Sequence, residues 1–302
     1  MDSITLITNA SAGSSDQAAL AEAVKVLEAA APVAVVSADD RAGTERLLAD
    51  LSGSLVIAGG DGSLHAIIGT LHRNGRLGHV LIGLVPLGTG NDFARGVGFP
   101  LDDPAAASRV FLEGVRREVD VIRDESGGVV VNAVHLGVGA DAGREAQPWK
   151  AKLGKVGYLL GAVVAGVRTP GYRVRVVADA EVLADGRRRL LQVAVGNGAF
   201  VGGGTPLIPD ADPHDGSLDV LVSFAVAPLE RLRYAVRLRR GSHGRSETVV
   251  TTRAREVSVA GVGLWLNADG ELEGPVTERR WTVEPRAFAM MLPTSPARHP
   301  QT

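Results

Sequence analysis

The stretch Leu55-Val56-Ile57-Ala58-Gly59-Gly60-Asp61-Gly62-Ser63-Leu64-His65 decides the fold. It begins as a short apolar run, the signature of a buried strand. It breaks at two glycines, an aspartate and a third glycine. It then resumes with Leu64, Ala66, Ile67, Ile68 and Leu71, spaced along one face of a helix. Strand, glycine turn and helix together bring backbone close to a phosphate. Glycine has no Cβ to hold an anion away, and the helix N-terminus offers unpaired N–H groups. A tight βα turn without a ligand reads the same way, so this motif alone does not separate the two.

A second stretch repeats the pattern. The apolar run Val80 to Val85 leads into Pro86-Leu87-Gly88-Thr89-Gly90-Asn91-Asp92-Phe93-Ala94-Arg95. In a parallel sheet both loops emerge at the carboxyl edge, where open α/β sheets bind ligands. Upstream, Ser3 to Thr8 reads as a strand ending at Asn9-Ala10-Ser11-Ala12-Gly13. Asp16 to Ala30 carries Leu20, Ala23, Val24 and Leu27 on one helical face. Val33 to Val36 is a strand followed by Ser37, and Arg41 to Leu51 is a helix. Strand–helix alternation predicts a doubly wound parallel sheet.

Pro104 to Gly114 reads as one more helix and Glu118 to Arg123 as a strand. Strand signals then dominate: Val129–Val134, Tyr172–Ala178, Leu190–Val195, Leu218–Val222, Glu256–Val259 and Leu264–Leu266. The expectation is an α/β doubly wound N-terminal domain over 1–123 and a mostly β domain over 124–292. A Pro-rich tail over 293–302 is expected to be disordered.

Composition narrows the function classes. The 302 residues are 45% hydrophobic and 22% charged, ordinary for a soluble globular chain of two domains. A net charge of −2 provides no basic field to gather nucleic acid. Cysteine is absent, which excludes disulfides, cysteine–zinc sites and a thiol nucleophile. The N-terminus lacks a signal-peptide pattern, and no apolar run approaches the roughly 20 residues of a membrane span. Membrane contact is therefore expected to be peripheral, at the inner surface of a cytoplasmic protein.

Gly59-Gly60-Asp61-Gly62-Ser63 resembles the GGDG[ST] signature of the diacylglycerol kinase catalytic-domain family. The block Pro86 to Arg95 is similar to that family's longer and more specific PLGTGND segment. Asn9 to Gly13 looks like its first nucleotide loop, with Ala10 where proline is usual. Lys152 to Leu160 is similar to a further segment of these lipid kinases. Leu264-Trp265-Leu266-Asn267-Ala268-Asp269-Gly270-Glu271 is similar to the Asp-Gly-Glu motif.

The resemblance implies a C-terminal β-sandwich, with the last strand returning to the first domain. It implies ATP-dependent phosphoryl transfer to a diacylglycerol-like lipid, with Mg²⁺ as the metal. Nucleotide contacts would come from Asn9, Ala10, Ser11, Ala12, Gly13, Ser37, Gly59, Gly60, Gly62, Ser63, Leu64, His65, Gly88, Thr89, Asn91 and Asp92. Asp61 would organise Mg²⁺ on the phosphates, or act as an N-cap before its own helix. Its removal is expected to abolish transfer and spare the fold. Glu271 would be the base and Asp269 its assistant. A turn would also accommodate Asp-Gly. A structural Mg²⁺ would sit on Asp215, with Asp212 and Ser217 nearby.

His65-Ala66 departs from the family's common Asn-Glu and leaves details of nucleotide contact open. An NAD kinase-like enzyme and a catalytically inactive nucleotide-binding module are the alternatives, and a homodimer is one assembly left open. The segment Pro228 to Arg240 combines Leu229, Leu232, Val236 and Leu238 with five arginines. It could lie on an anionic membrane, but a sandwich helix with leucines inward and arginines solvated is the favoured expectation.

Overall fold

The computed structural model describes residues 3–8, 14–38, 41–137 and 170–294. The first half alternates as the sequence predicts: β1 (Ile4–Thr8), α1 (Ser14–Glu28), β2 (Val33–Ser37), α2 (Arg41–Asp50), β3 (Gly53–Gly59), α3 (Asp61–Arg73) and β4 (Val80–Pro86). The four strands run parallel in the order β2-β1-β3-β4. Helix α3 buries Leu64, Ile67, Ile68 and Leu71, the i, i+3, i+4, i+7 stripe of an amphipathic helix. Register pairs Thr8 with Ala58 and Gly59 with Pro86, so the chain leaves β1, β3 and β4 along one carboxyl edge.

Two helices follow, α4 (Asp92–Gly96) and α5 (Pro104–Glu113). Helix α4 is not apparent in the sequence because five residues are too few to show a period. Strands β5 (Val115–Asp124), β6 (Val129–Val130), β7 (Ala133–Gly137), β8 (Val174–Ala178), β9 (Glu181–Asp185), β10 (Gln192–Gly196) and β11 (Leu218–Ser223) lead to helix α6 (Pro228–Arg239). Strands β12 (Val249–Ala254), β13 (Glu256–Ala268) and β14 (Glu271–Leu292) close the described chain. This is the mostly β second half, built as a sandwich on its own core of Val134, Leu136, Val176, Val193, Val220, Val259, Leu266 and Trp281.

Strand β14, of 22 residues, joins the halves. Its first part pairs antiparallel with β13. Its end pairs antiparallel with β5 and, through Ala289 and Met290, parallel with β4. Phe288, Met290 and Leu292 thereby enter the N-terminal core. The strand bends where its register against β5 shifts between Glu284 and Phe288. Arg286 there takes a left-handed φ of 54°. Asp120, fully buried, holds the bend: its carboxylate accepts N–H bonds of 2.7 Å from both Arg286 and Gly216.

Three expectations change. The strand predicted over Val129–Val134 is broken into β6 and β7, and Glu256–Val259 and Leu264–Leu266 are one bulged strand. Leu238 and Tyr234 seat α6 on a small apolar cluster, but Leu229, Leu232 and Val236 face solvent and not the core. The segment Lys152–Leu160 and residues 295–302 of the tail lie outside the described residues.

Candidate active site

The two glycine loops are packed against each other. A Cβ on Gly88 would stand 2.5 Å from the Cα of Gly60, so the backbones meet only because both residues lack one. A Cβ on Gly59 would meet the Ser63 hydroxyl at 2.5 Å. Asn91 closes the second loop on itself: its Nδ2 donates to Gly88 O at 2.6 Å and its Oδ1 accepts from Gly88 N at 3.1 Å. It adopts φ 51°, a left-handed conformation that asparagine tolerates better than most residues.

Gly60 caps α3 without a side-chain hydrogen bond. The first amides of that helix are thus not taken by a capping side chain, as at an anion site, and Gly60, Asp61 and Gly62 line a cavity. Asp61 does not cap its own helix. It is the first residue of α3, and its two carboxylate oxygens accept the N–H groups of Asp92 and Phe93 at 3.0 and 3.1 Å. It therefore caps α4, the helix that the second loop opens. A Cβ on Gly90 would come within 2.9 Å of this carboxylate.

Two other aspartates tie the domains together. Asp92 is buried, and its carboxylate accepts from Gly203 N at 2.9 Å and Gly204 N at 2.6 Å, on the turn after β10. Burial pushes its carboxyl above the usual range, against these amides, and Asp61 adds to the rise. Asp269 has a side chain only 2% exposed. It accepts from Val131 N, Asn132 N and Ala133 N at 2.7, 2.9 and 3.0 Å, and it meets His65 Nδ1 at 2.9 Å. Those three amides turn toward Asp269 and interrupt the predicted strand. The hydrogen bond to Asp269 raises the imidazole pKa of His65, and the charges of Asp269, Glu271 and Glu273 add to it while burial opposes.

Glu271 is exposed at the start of β14, two residues on from this saturated aspartate. It lines a cavity of about 470 Å³ with Thr8, Ala38, Gly62, Ser63 and His65. A second cavity, about 790 Å³, is walled by Gly60, Asp61, Gly88, Thr89, Gly90 and Asp92 from the first domain, and by His135, Gly203, Asn267 and Asp269 from the second. Gly62, on the first turn of α3, lines both. The glycine loops thus stand between two chambers. The candidate base is on one and the candidate Mg²⁺ carboxylate on the other.

Not every predicted contact faces a cavity. Leu64 is core, and its N–H donates to Gly60 O at 3.1 Å. Gly59, Asn91 and Ser37 line neither chamber, although Ala38 beside Ser37 does. Asn9 to Gly13 lie outside the described residues. Asp215 pairs with Arg253 at 3.1 Å and accepts from Ser217 N, while Asp212 accepts from His214 N. Among the described residues no three acidic, histidine or cysteine groups converge to hold an ion. Arg253 also reaches Asp219 at 3.4 Å, whose carboxyl burial pushes up to about 6. Among the described residues, the Arg253 guanidinium is the cation at this turn.

Sequence reading missed His135. It is 6% exposed on β7, its Nδ1 has no partner, and burial lowers its pKa to about 4, so it is a neutral imidazole in the wall of the larger chamber. It sits alone in an apolar strand, a context in which a core histidine gives no signal.

An α/β domain with phosphate-type glycine loops, facing a sandwich across a cleft, is the fold of diacylglycerol kinase-like and NAD kinase-like proteins. A solved structure of a putative diacylglycerol kinase from Bacillus anthracis superposes with TM-score 0.78 at 23% identity, covering 98% of this chain and 99% of that one. An NAD kinase from Archaeoglobus fulgidus in complex with ATP gives 0.52 at 13%, covering 96% and 93%. Residues 3–123 match the diacylglycerol kinase catalytic domain, and 132–292 match the YegS C-terminal NAD kinase beta sandwich-like domain.

A probable lipid kinase YegS-like from Pseudomonas aeruginosa is 34% identical over 84% of this chain and 82% of its own. A diacylglycerol kinase from Mycobacterium tuberculosis is 29% identical over 74% of this chain and 72% of its own. The chain belongs to the diacylglycerol kinase catalytic-domain family, among its YegS-like lipid kinases.

Proposed function

We propose that the protein transfers the γ-phosphoryl group of ATP to the hydroxyl of a diacylglycerol-like lipid. The observation that carries this reading is the first turn of α3, placed between two chambers with Glu271 beside it. The smaller chamber, at the ends of β1 and β2, suits the nucleoside. The phosphates would then cross the N-terminus of α3, where uncapped amides meet their charge. The larger chamber, with Gly203, Thr205 and Pro206 in its wall, suits the acceptor.

Phosphoryl transfer is mostly positioning and charge stabilisation. Asp61, anchored through the amides of Asp92 and Phe93, keeps further lone pairs on the chamber wall. Together with phosphate oxygens these suit a Mg²⁺ ion, which when bound would neutralise charge on the transferring group. Glu271, on the smaller chamber beside the Gly62 that both chambers share, is free to take the proton of an acceptor hydroxyl brought there from the larger one. Asp269 is not: four hydrogen bonds occupy it, so it positions the turn and does not act as a second base. Asp92 is likewise committed to Gly203 and Gly204.

The likeness to NAD kinase is one of fold alone and does not favour NAD as acceptor. The test is a radiolabelled-ATP assay of the purified chain against diacylglycerol, monoacylglycerol, a sphingoid base, a polyprenol and NAD. Labelled phosphatidate is the expected product. Label in NAD, or in none of the five, would overturn the reading.

A further inference from the structure

We infer that the outer face of α6 is a docking surface for an anionic lipid leaflet, one that brings the mouth of the larger chamber to the membrane. Tyr234 and Leu238 hold the helix to the protein. On the opposite side Leu229, Leu232 and Val236 are 57%, 63% and 45% exposed. Their i, i+3, i+7 spacing makes them one continuous ridge.

Helix geometry puts Arg233 and Arg237 along one flank of that ridge and Arg239 along the other. All three are exposed, and none is in an ion pair among the described residues. Between Pro228 and Arg245 there are six arginines and one glutamate, in a chain whose net charge is −2. A solvated helix does not need its leucines outward, and an apolar ridge flanked by cations is the pattern of a helix lying in a membrane interface. The ridge buries into the acyl boundary while the guanidinium groups meet lipid phosphates.

The occupant is argued from charge and from position. The surface is a convex ridge and not a groove, which suits a planar leaflet. Its last turn reaches the site, because Arg239 lines the larger chamber beside Thr205 and Pro206. A leaflet under α6 would thus lie next to the chamber assigned to the acceptor. That link to the chamber rests on the lipid kinase reading, whereas the docking itself does not.

Sedimentation of the full chain with vesicles tests the inference. Binding is expected to vesicles of phosphatidylglycerol with phosphatidylcholine, to weaken with salt, and to be far lower on phosphatidylcholine alone. Leu229→Ser with Leu232→Ser, and separately Arg233→Glu with Arg237→Glu, should each lower partitioning roughly tenfold or more. Melting temperature, oligomeric state and turnover on a short-chain water-soluble diacylglycerol should stay at wild-type values. The inference is overturned by wild-type protein that ignores anionic vesicles or by variants that bind them normally. It is also overturned by variants that dissociate a dimer, since the ridge would then belong to a second copy. Vesicle binding without phosphorylation of any lipid alcohol would leave the docking surface standing and remove the kinase reading.

Discussion

Two acid-rich turns in this chain look alike as sequence and differ in the folded protein. Asp269-Gly270-Glu271 stands at the domain junction, and Asp212 to Ser217 precedes β11, whose second residue is Asp219. In the first, one carboxylate is buried under three backbone amides and a histidine, which leaves its neighbour Glu271 exposed on a cavity. In the second, Arg253 bridges Asp215 and Asp219, and no acid of the turn lines either chamber. What separates a working carboxylate from a structural one is who already holds its lone pairs. Density of acidic residues does not decide it.

The largest expected effect is at the free acid. Glu271→Gln should lower turnover by about 10²–10⁴-fold, the usual contribution of a general base. Melting temperature should not move, because the side chain is exposed. A loss of stability in place of activity would erase the contrast with Asp269.

Asp269→Ala should act in the opposite way. It leaves the amides of Val131, Asn132 and Ala133 without their acceptor in a buried place, at a cost of about 3 kcal/mol or more by urea unfolding. Asp269→Asn keeps one acceptor oxygen and should cost less. A stable Asp269→Ala protein with only its turnover reduced would make Asp269 part of the proton transfer.

Asp61→Ala should show both kinds of loss. Transfer should fall to background, and capping of α4 should cost about 1 kcal/mol. The sequence expectation of an untouched fold is therefore replaced by a measurable drop in melting temperature. An unchanged melting temperature would mean that the Asp92 and Phe93 amides find water instead.

The pH dependence of the His65–Asp269 pair sharpens the comparison further. The imidazole pKa is raised in the folded chain, so its stabilisation is complete below the unfolded value of about 6.5. It is lost as pH rises through the higher folded value. Melting temperatures of wild type and His65→Gln should differ most at the acid end and converge at the alkaline end. A constant difference would show that the pair is held by a neutral hydrogen bond.

The smallest effect belongs to the second turn. Arg253 is 55% exposed, so solvent screens its bridges, and Arg253→Ala should cost less than about 1 kcal/mol. Chelation with EDTA should leave the melting temperature unchanged. A clear drop on chelation would support the structural Mg²⁺ expected on Asp215.

The strand–helix alternation of the first half, the two glycine loops and the carboxyl edge on which they meet are legible in the residues alone. These are local properties: an apolar period, a missing Cβ, a short run bounded by glycine. Sequence motifs also single out Asp61 and Glu271. Which partners hold each acid is a matter of tertiary packing. Asp269 is bound by amides 136 to 138 residues away, and Asp61 by amides 31 and 32 residues away, separations at which no period or spacing carries information. The expectation that Leu229 and Leu232 face inward failed for the same reason. A helical stripe shows that a face is apolar, but the neighbours that would cover that face come from other parts of the chain.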